Sequence, residues 1–184
     1  FYVGLEDVVT INSFIKTVVG ASYNSRNNIK AQEYGTHYES GEKNILYDFP
    51  KGSDNAFDYK GGIIVEPLKN HSVTVSASKR SRFASQKERY SSRFGSQVPN
   101  PDLKSEYTWA YDVTYSAKVG NKFNYEVSGF INNIKDAIFA RTVGTLDNRN
   151  PISQNVNIGK AVFQGYELAF GYNPINNVTL GDNY

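Results

Sequence analysis

The stretch from Lys79 to Phe94 holds most of the chemistry that this chain can offer. Lys79, Arg80, Arg82, Lys87, Arg89 and Arg93 supply six cations, Glu88 is the one anion, and Phe83, Tyr90 and Phe94 lie among them. Guanidinium groups hold carboxylates and phosphates through paired hydrogen bonds, and aromatic rings add stacking and cation–π attraction. That combination fits an anionic, partly planar small molecule. Its contacting residues would be Arg80, Arg82, Phe83, Lys87, Arg89, Tyr90, Arg93 and Phe94. The same cations would also serve to pair with lipid phosphates, or with acids on neighbouring segments.

A second cluster is aromatic and acidic: Glu33, Tyr34, His37, Tyr38, Glu39, Glu42, Tyr47 and Asp48. Metal binding needs several ligands that converge. Here one His stands among scattered acids, so a solvated segment is expected, with no metal and no other cofactor. Catalysis has little to work with. Cysteine is absent, and neither His37 nor His71 lies beside a nucleophile motif. No enzyme is expected. The net charge of +2 gives no overall field that would draw in nucleic acid.

The elements that must position these residues are strands. In residues 107–118, Tyr107, Trp109, Tyr111, Val113, Tyr115 and Ala117 share one face. Thr108, Asp112, Thr114, Ser116 and Lys118 share the other, with Ala110 among them. Val119-Gly120-Asn121-Lys122 turns the chain, and Phe123, Tyr125, Val127, Gly129 and Ile131 repeat the apolar face. A side-chain period of two describes a ribbon with one greasy, aromatic face and one polar face. Each arm runs about eleven residues, against about five or six in soluble strands. A transmembrane strand needs about nine to eleven.

About eight such strands can be read. They cover residues 2–9, 14–25, 57–66, 72–81, the two arms of the hairpin, 161–172 and 178–184. Long polar segments separate some of them, at about 26–55, 82–105 and 140–160. Long and short connections therefore alternate. In an up-and-down meander, this collects every short turn at one end and every long loop at the other, as in outer-membrane barrels. Apolar residues make up only 39% of the chain while aromatics reach 14%. That balance suits a sheet with apolar side chains on one surface and water on the other. No apolar run approaches the roughly 20 residues of a membrane helix.

Several motifs then resemble one family. Pro99-Asn100-Pro101-Asp102-Leu103-Lys104-Ser105-Glu106 resembles the "NPxLKPE" motif of TonB-dependent outer-membrane receptors, with Ser105 where the family has Pro. Arg82-Phe83-Ala84-Ser85 through Glu88-Arg89-Tyr90 resembles the stretch that precedes it. Ile131-Asn132-Asn133-Ile134-Lys135-Asp136-Ala137-Ile138 is similar to the family's "Y-x-x-x-I-K-D-x-I" strand end. Asn157-Ile158-Gly159-Lys160-Ala161 and Gly165-Tyr166-Glu167-Leu168 are similar to its "N-x-G-x-A…G-x-E-L" strand.

The resemblance implies an all-β fold: an antiparallel meander of long strands forming part of an outer-membrane barrel of about 22 strands. Residues 1–184 would be one barrel piece, with nothing resembling the plug domain that precedes the barrel. It further implies uptake of an iron chelate, a ferric siderophore first, powered by TonB through that plug. The basic stretch has no His to serve as an axial haem ligand, which favours a siderophore over haem. Outer-membrane lipid and lipopolysaccharide would be the other partners. A small barrel acting as adhesin or structural protein, and a soluble carbohydrate-binding sandwich, are the competing readings.

Overall fold

The computed structural model describes residues 1–37, 39–92, 95–120, 122–145, 150–174 and 180–183. Eight strands form one antiparallel meander in the order β1, β2, β5, β6, β8, β9, β10, β11. They are β1 (Tyr2–Thr10), β2 (Ile15–Asn27), β5 (Ser53–Leu68), β6 (His71–Arg82), β8 (Glu106–Val119), β9 (Phe123–Thr145), β10 (Pro151–Tyr172) and β11 (Leu180–Asn183). The segments between them hold a small hairpin of β3 (Gln32–Gly35) and β4 (Ile45–Asp48), a helix α1 (Gln86–Tyr90), and β7 (Gln97–Val98), which pairs parallel with β10. No ladder joins β1 to β11 among the described residues, so they are the two edges of the sheet.

The register produces the two faces. Cross-strand partners share a face. Tyr59, Lys79 and Trp109 form one row, and Val65, Val73 and Tyr115 another. Both rows lie on the apolar side. Large residues on that side stand open to the surroundings, among them Leu5, Val19, Ile63, Val75, Tyr111, Val113, Ile131, Tyr166 and Phe170. A contiguous apolar surface of this extent belongs against a partner or a membrane. Among the described residues the only large side chain sealed completely is Leu103, at 2% exposure. The apolar mass that would fill the core of a soluble domain is spread over an outside wall.

Rings mark both margins of that wall. Tyr59 meets Trp109 at 5.6 Å near the loop end, and Tyr115 meets Tyr125 at 5.8 Å near the short turns. From Tyr107 to Tyr115 the strand rises eight residues, about 26 Å at roughly 3.3 Å per residue. The apolar band of a membrane barrel is about 25 Å tall. The opposite face is charged and hydrated. Lys60 reaches Glu6 at 2.7 Å and Lys16 reaches Glu66 at 3.0 Å, and Ser116 donates to Glu126 at 2.8 Å.

Two sequence expectations change in detail. Strand β5 begins at Ser53, inside the segment expected to be a long loop. The expected loop at 140–160 is mostly strand, because β9 runs to Thr145 and β10 starts at Pro151. The two pair along almost their whole length, with a register shift at Ile152/Ser153. The β8 ladder stops at Lys135. The next residue, Asp136, takes φ 53°, a left-handed conformation uncommon outside glycine. Beyond it, β9 and β10 continue as a ribbon with no β8 beside them, joined among the described residues only at Ser153 and Gln154 by the short β7. Among the short turns, Asn70 and Gly120 supply the positive φ values that tight hairpins require, 67° and 58°.

Candidate functional site

The segment from 83 to 105 folds back over the polar face at the loop end. Its helix is only five residues long and is held by a capping box. Ser85 Oγ accepts from the Glu88 amide at 3.2 Å, and Glu88 Oε2 accepts from the Ser85 amide at 2.7 Å. This satisfies otherwise orphaned amides at the first turn. Arg82 Nη1 donates to Glu88 at 3.0 Å, and its Nε donates to Glu106 at 2.6 Å. Glu106 Oε2 also accepts from the Ile138 amide at 3.0 Å. One arginine therefore ties the segment to the start of β8 and, through Glu106, to the start of the extended β9–β10 ribbon.

Asp54 is the second anchor. Arg89 Nη2 donates to Asp54 Oδ1 at 2.5 Å and to the Leu103 carbonyl at 2.8 Å. Arg26 Nη2 donates to Asp54 Oδ2 at 2.8 Å and also to the Ala84 carbonyl. Ser105 Oγ adds a bond to Asp54 Oδ1 at 3.3 Å. Arg89 is 3% exposed and Asp54 7%. Gly52 leaves room for this pair, since a Cβ there would lie 3.0 Å from Arg89 Nη1. A third set of bonds reaches β10. Asn100 Nδ2 donates to the Asn155 carbonyl, Asn155 Nδ2 to the Glu88 carbonyl, and Asn157 Nδ2 to the carbonyls of Lys104 and Asp136.

The eight sequence candidates therefore divide. Arg82 and Arg89 are committed to Glu88, Glu106 and Asp54. Tyr90 is held between the Asn28 amide and the Pro50 carbonyl. Phe83 lies beneath the Arg26 guanidinium at 5.3 Å. Arg80 and Lys87 are exposed, and among the described residues neither has a carboxylate within ion-pair distance. Arg93 and Phe94 lie outside the described residues. In the acidic cluster, Glu33 accepts from Tyr47 at 3.0 Å and from Ser92 at 2.6 Å, which joins the small hairpin to the covering segment. Tyr38 lies outside the described residues. Among the described residues no three His, Cys, Asp or Glu converge as metal ligands would.

The motif around Asn100 now has a physical meaning. Asn100 accepts a turn bond from the Leu103 amide at 3.2 Å, Leu103 is the plug of apolar contact, and Ser105 and Glu106 carry the polar anchors. The family model for the "TonB dependent receptor-like, beta-barrel" domain matches residues 3–184. The chain belongs to this family.

TonB-dependent receptors are bacterial outer-membrane proteins, so the apolar face of this receptor barrel meets lipid and its short turns face the periplasm. Solved structures agree on the fold. The copper transporter OprC aligns with a TM-score of 0.74 at 15% identity, over 99% of this chain and 29% of that one. The Serratia marcescens hemophore receptor HasR, in complex with its hemophore HasA and heme, gives 0.71 at 15% over 94% and 31%. The Acinetobacter baumannii siderophore receptor PirA gives 0.66 at 14% over 99% and 26%. No curated protein matches the sequence. The chain spans between a quarter and a third of these receptors' lengths.

Asp54, Arg26 and Asn155 escape sequence reading, because each lies far along the chain from the segment it holds. Asn157 stands in a motif that the family resemblance does mark. Acidity should loosen the covering segment of this receptor barrel. Burial alone would push the Glu88 carboxyl up. The Ser85 amide and hydroxyl and the Arg82 guanidinium outweigh it and hold the group below its ordinary 4.5. A lowered folded pKa gives stability that is present above about pH 4.5 and lost as pH falls through the lower folded value. The protection factors of the α1 amides, their exchange rates divided into the intrinsic rate at each pH from 6 to 3, should fall below that point. Glu88→Gln should flatten the dependence.

Proposed function

We propose that this chain is wall and outer loops of a TonB-dependent receptor that imports an anionic metal chelate, a ferric siderophore foremost. One observation carries the choice of cargo. Within one basic stretch, Arg82 and Arg89 are neutralised by built-in acids, while Arg80 and Lys87 stand exposed without such partners at the loop end. Exposed cations beside aromatic side chains suit the carboxylate, catecholate or hydroxamate oxygens of a chelate. By their chemistry Phe83, Arg93 and Phe94, in the same basic stretch of sequence, are proposed as further contacts. Structures of similar fold include a siderophore receptor and a ferric-catecholate import receptor alongside a copper transporter and a hemophore receptor.

In this reading the chain is one barrel domain of a transporter, with no catalytic role and no cofactor of its own. The outer loops capture the chelate, and it passes down the lumen when a plug domain, coupled to TonB, moves. Lipid and lipopolysaccharide surround the wall. The test uses the full-length receptor. Binding is measured against ferric siderophores, cobalamin and haem, then repeated for the best ligand with Arg80→Gln and Lys87→Gln together. Losing two charge-assisted contacts should weaken an anionic chelate about a hundredfold, at about 1.5 kcal/mol each. Affinity unchanged by the pair would remove the charge argument, and tight haem or cobalamin binding with no siderophore binding would replace the cargo.

A further inference from the structure

We propose that the lipid-facing wall carries a shelf for the phosphorylated headgroup of an outer-leaflet glycolipid of the lipid A type, built from Lys79, Lys135 and Lys160. This rests on reading the chain as barrel wall. Lys135 faces Tyr107 across the β8–β9 ladder and Lys160 across the β9–β10 ladder, which puts both lysines on the apolar side. Both are exposed. Directly opposed like charges destabilise a sheet. Among the described residues no carboxylate lies within ion-pair distance of either. An anion held between them removes the repulsion, and directly opposed residues, with Cα atoms about 4.5–5.5 Å apart, bring both ammonium groups to one phosphate.

Lys79 extends the shelf. Its Nζ lies 4.8 Å from the Tyr107 ring centre and 5.8 Å from that of Tyr59, on the same side of the sheet. The location is asymmetric. The strands put no other Lys or Arg on the apolar face between this level and the short turns, among the described residues. The shelf therefore stands only at the outer margin, where the headgroups of the outer leaflet lie. Just inside it, an open and almost wholly apolar groove is lined by Ile63, Val75, Tyr111, Val113, Ile131 and Tyr166. Cations above and an apolar groove below match a molecule with phosphate at one end and acyl chains at the other. Free phosphate would use only the first half of that surface.

The test takes the full-length receptor in detergent, wild type and the triple variant Lys79→Gln, Lys135→Gln, Lys160→Gln. Diphosphoryl lipid A and its dephosphorylated form are added, and adducts are counted by native mass spectrometry. The wild type should retain the diphosphoryl form about tenfold more than the dephosphorylated form, and the triple variant should lose that preference. Lys118→Gln, on the polar face, should keep it. Equal retention of both lipids by the wild type, or an unchanged preference in the triple variant, would overturn the shelf. Complete displacement by millimolar inorganic phosphate would overturn it too, leaving a generic anion site. Electrophoretic mobility before and after boiling separates the two readings. A heat-modifiable receptor without phosphate preference sinks the shelf alone, and one that is not heat-modifiable sinks the wall reading with it.

Discussion

Replacing Asp54 by Ala is expected to free the covering segment from the polar face. Asp54 serves two arginines at once, and Arg89 is buried beside it. Removing one member of a buried pair leaves the other charge desolvated and uncompensated, which costs about 3–5 kcal/mol. The ladder between β2 and β5 has 13 partner positions and depends on none of these side chains, so the sheet should persist while the segment opens. Hydrogen exchange over residues 83–105 should rise more than a hundredfold, since 1.4 kcal/mol is about tenfold. Proteolysis within that segment should rise with it. The double change Asp54→Leu with Arg89→Met should recover much of the protection, because a well-packed apolar pair replaces a buried ionic one at little cost. Protection unchanged in Asp54→Ala would mean that the Asn100, Asn155 and Asn157 bonds hold the segment without the ionic anchor.

The second large effect separates the two faces of one strand. Val113 and Thr114 are neighbours on β8, but Val113 is on the apolar face and Thr114 on the polar one, where its hydroxyl is 3.0 Å from that of Ser128. Val113→Lys should destabilise the folded barrel in lipid by about 2–4 kcal/mol, the cost of a cation near the bilayer midplane. Thr114→Lys should cost far less, because its ammonium enters a hydrated lumen. Equilibrium unfolding in lipid vesicles with urea gives both values. Equal costs at the two positions would remove the assignment of faces.

That assignment was legible in the sequence wherever membrane and lumen impose different solvents on alternate residues. Residues 107–131 and 161–172 show it plainly, since the period of two survives only where one side is dry. The ribbon beyond Asp136 was not legible for the same reason. Ser153, Gln154, Asn155 and Asn157 stand where the β9–β10 pair has left β8, and both sides are polar, so the chain reads as loop although its backbone is paired. The basic stretch was legible as charge but not as partnership. Arg80 and Arg82 look alike in sequence, and only folding brings Glu88 and Glu106 to one and not to the other. The motif from Pro99 to Glu106 was visible as a resemblance. Its reason, a turn that delivers Leu103, Ser105 and Glu106 to their partners, needed the fold.

The covering segment also imposes an order of assembly. Each ladder of the meander, β7 aside, joins strands that are next to one another in the meander, and the β1–β2, β5–β6 and β8–β9 hairpins form by short loop closures, which are fast. The segment instead gathers Arg26, Asp54 and Asn157, whose positions span most of the chain. It cannot lock before β10 has arrived. The sheet is zipped from neighbour to neighbour, while this clasp reports that six strands of the meander, from β2 to β10, have taken their places.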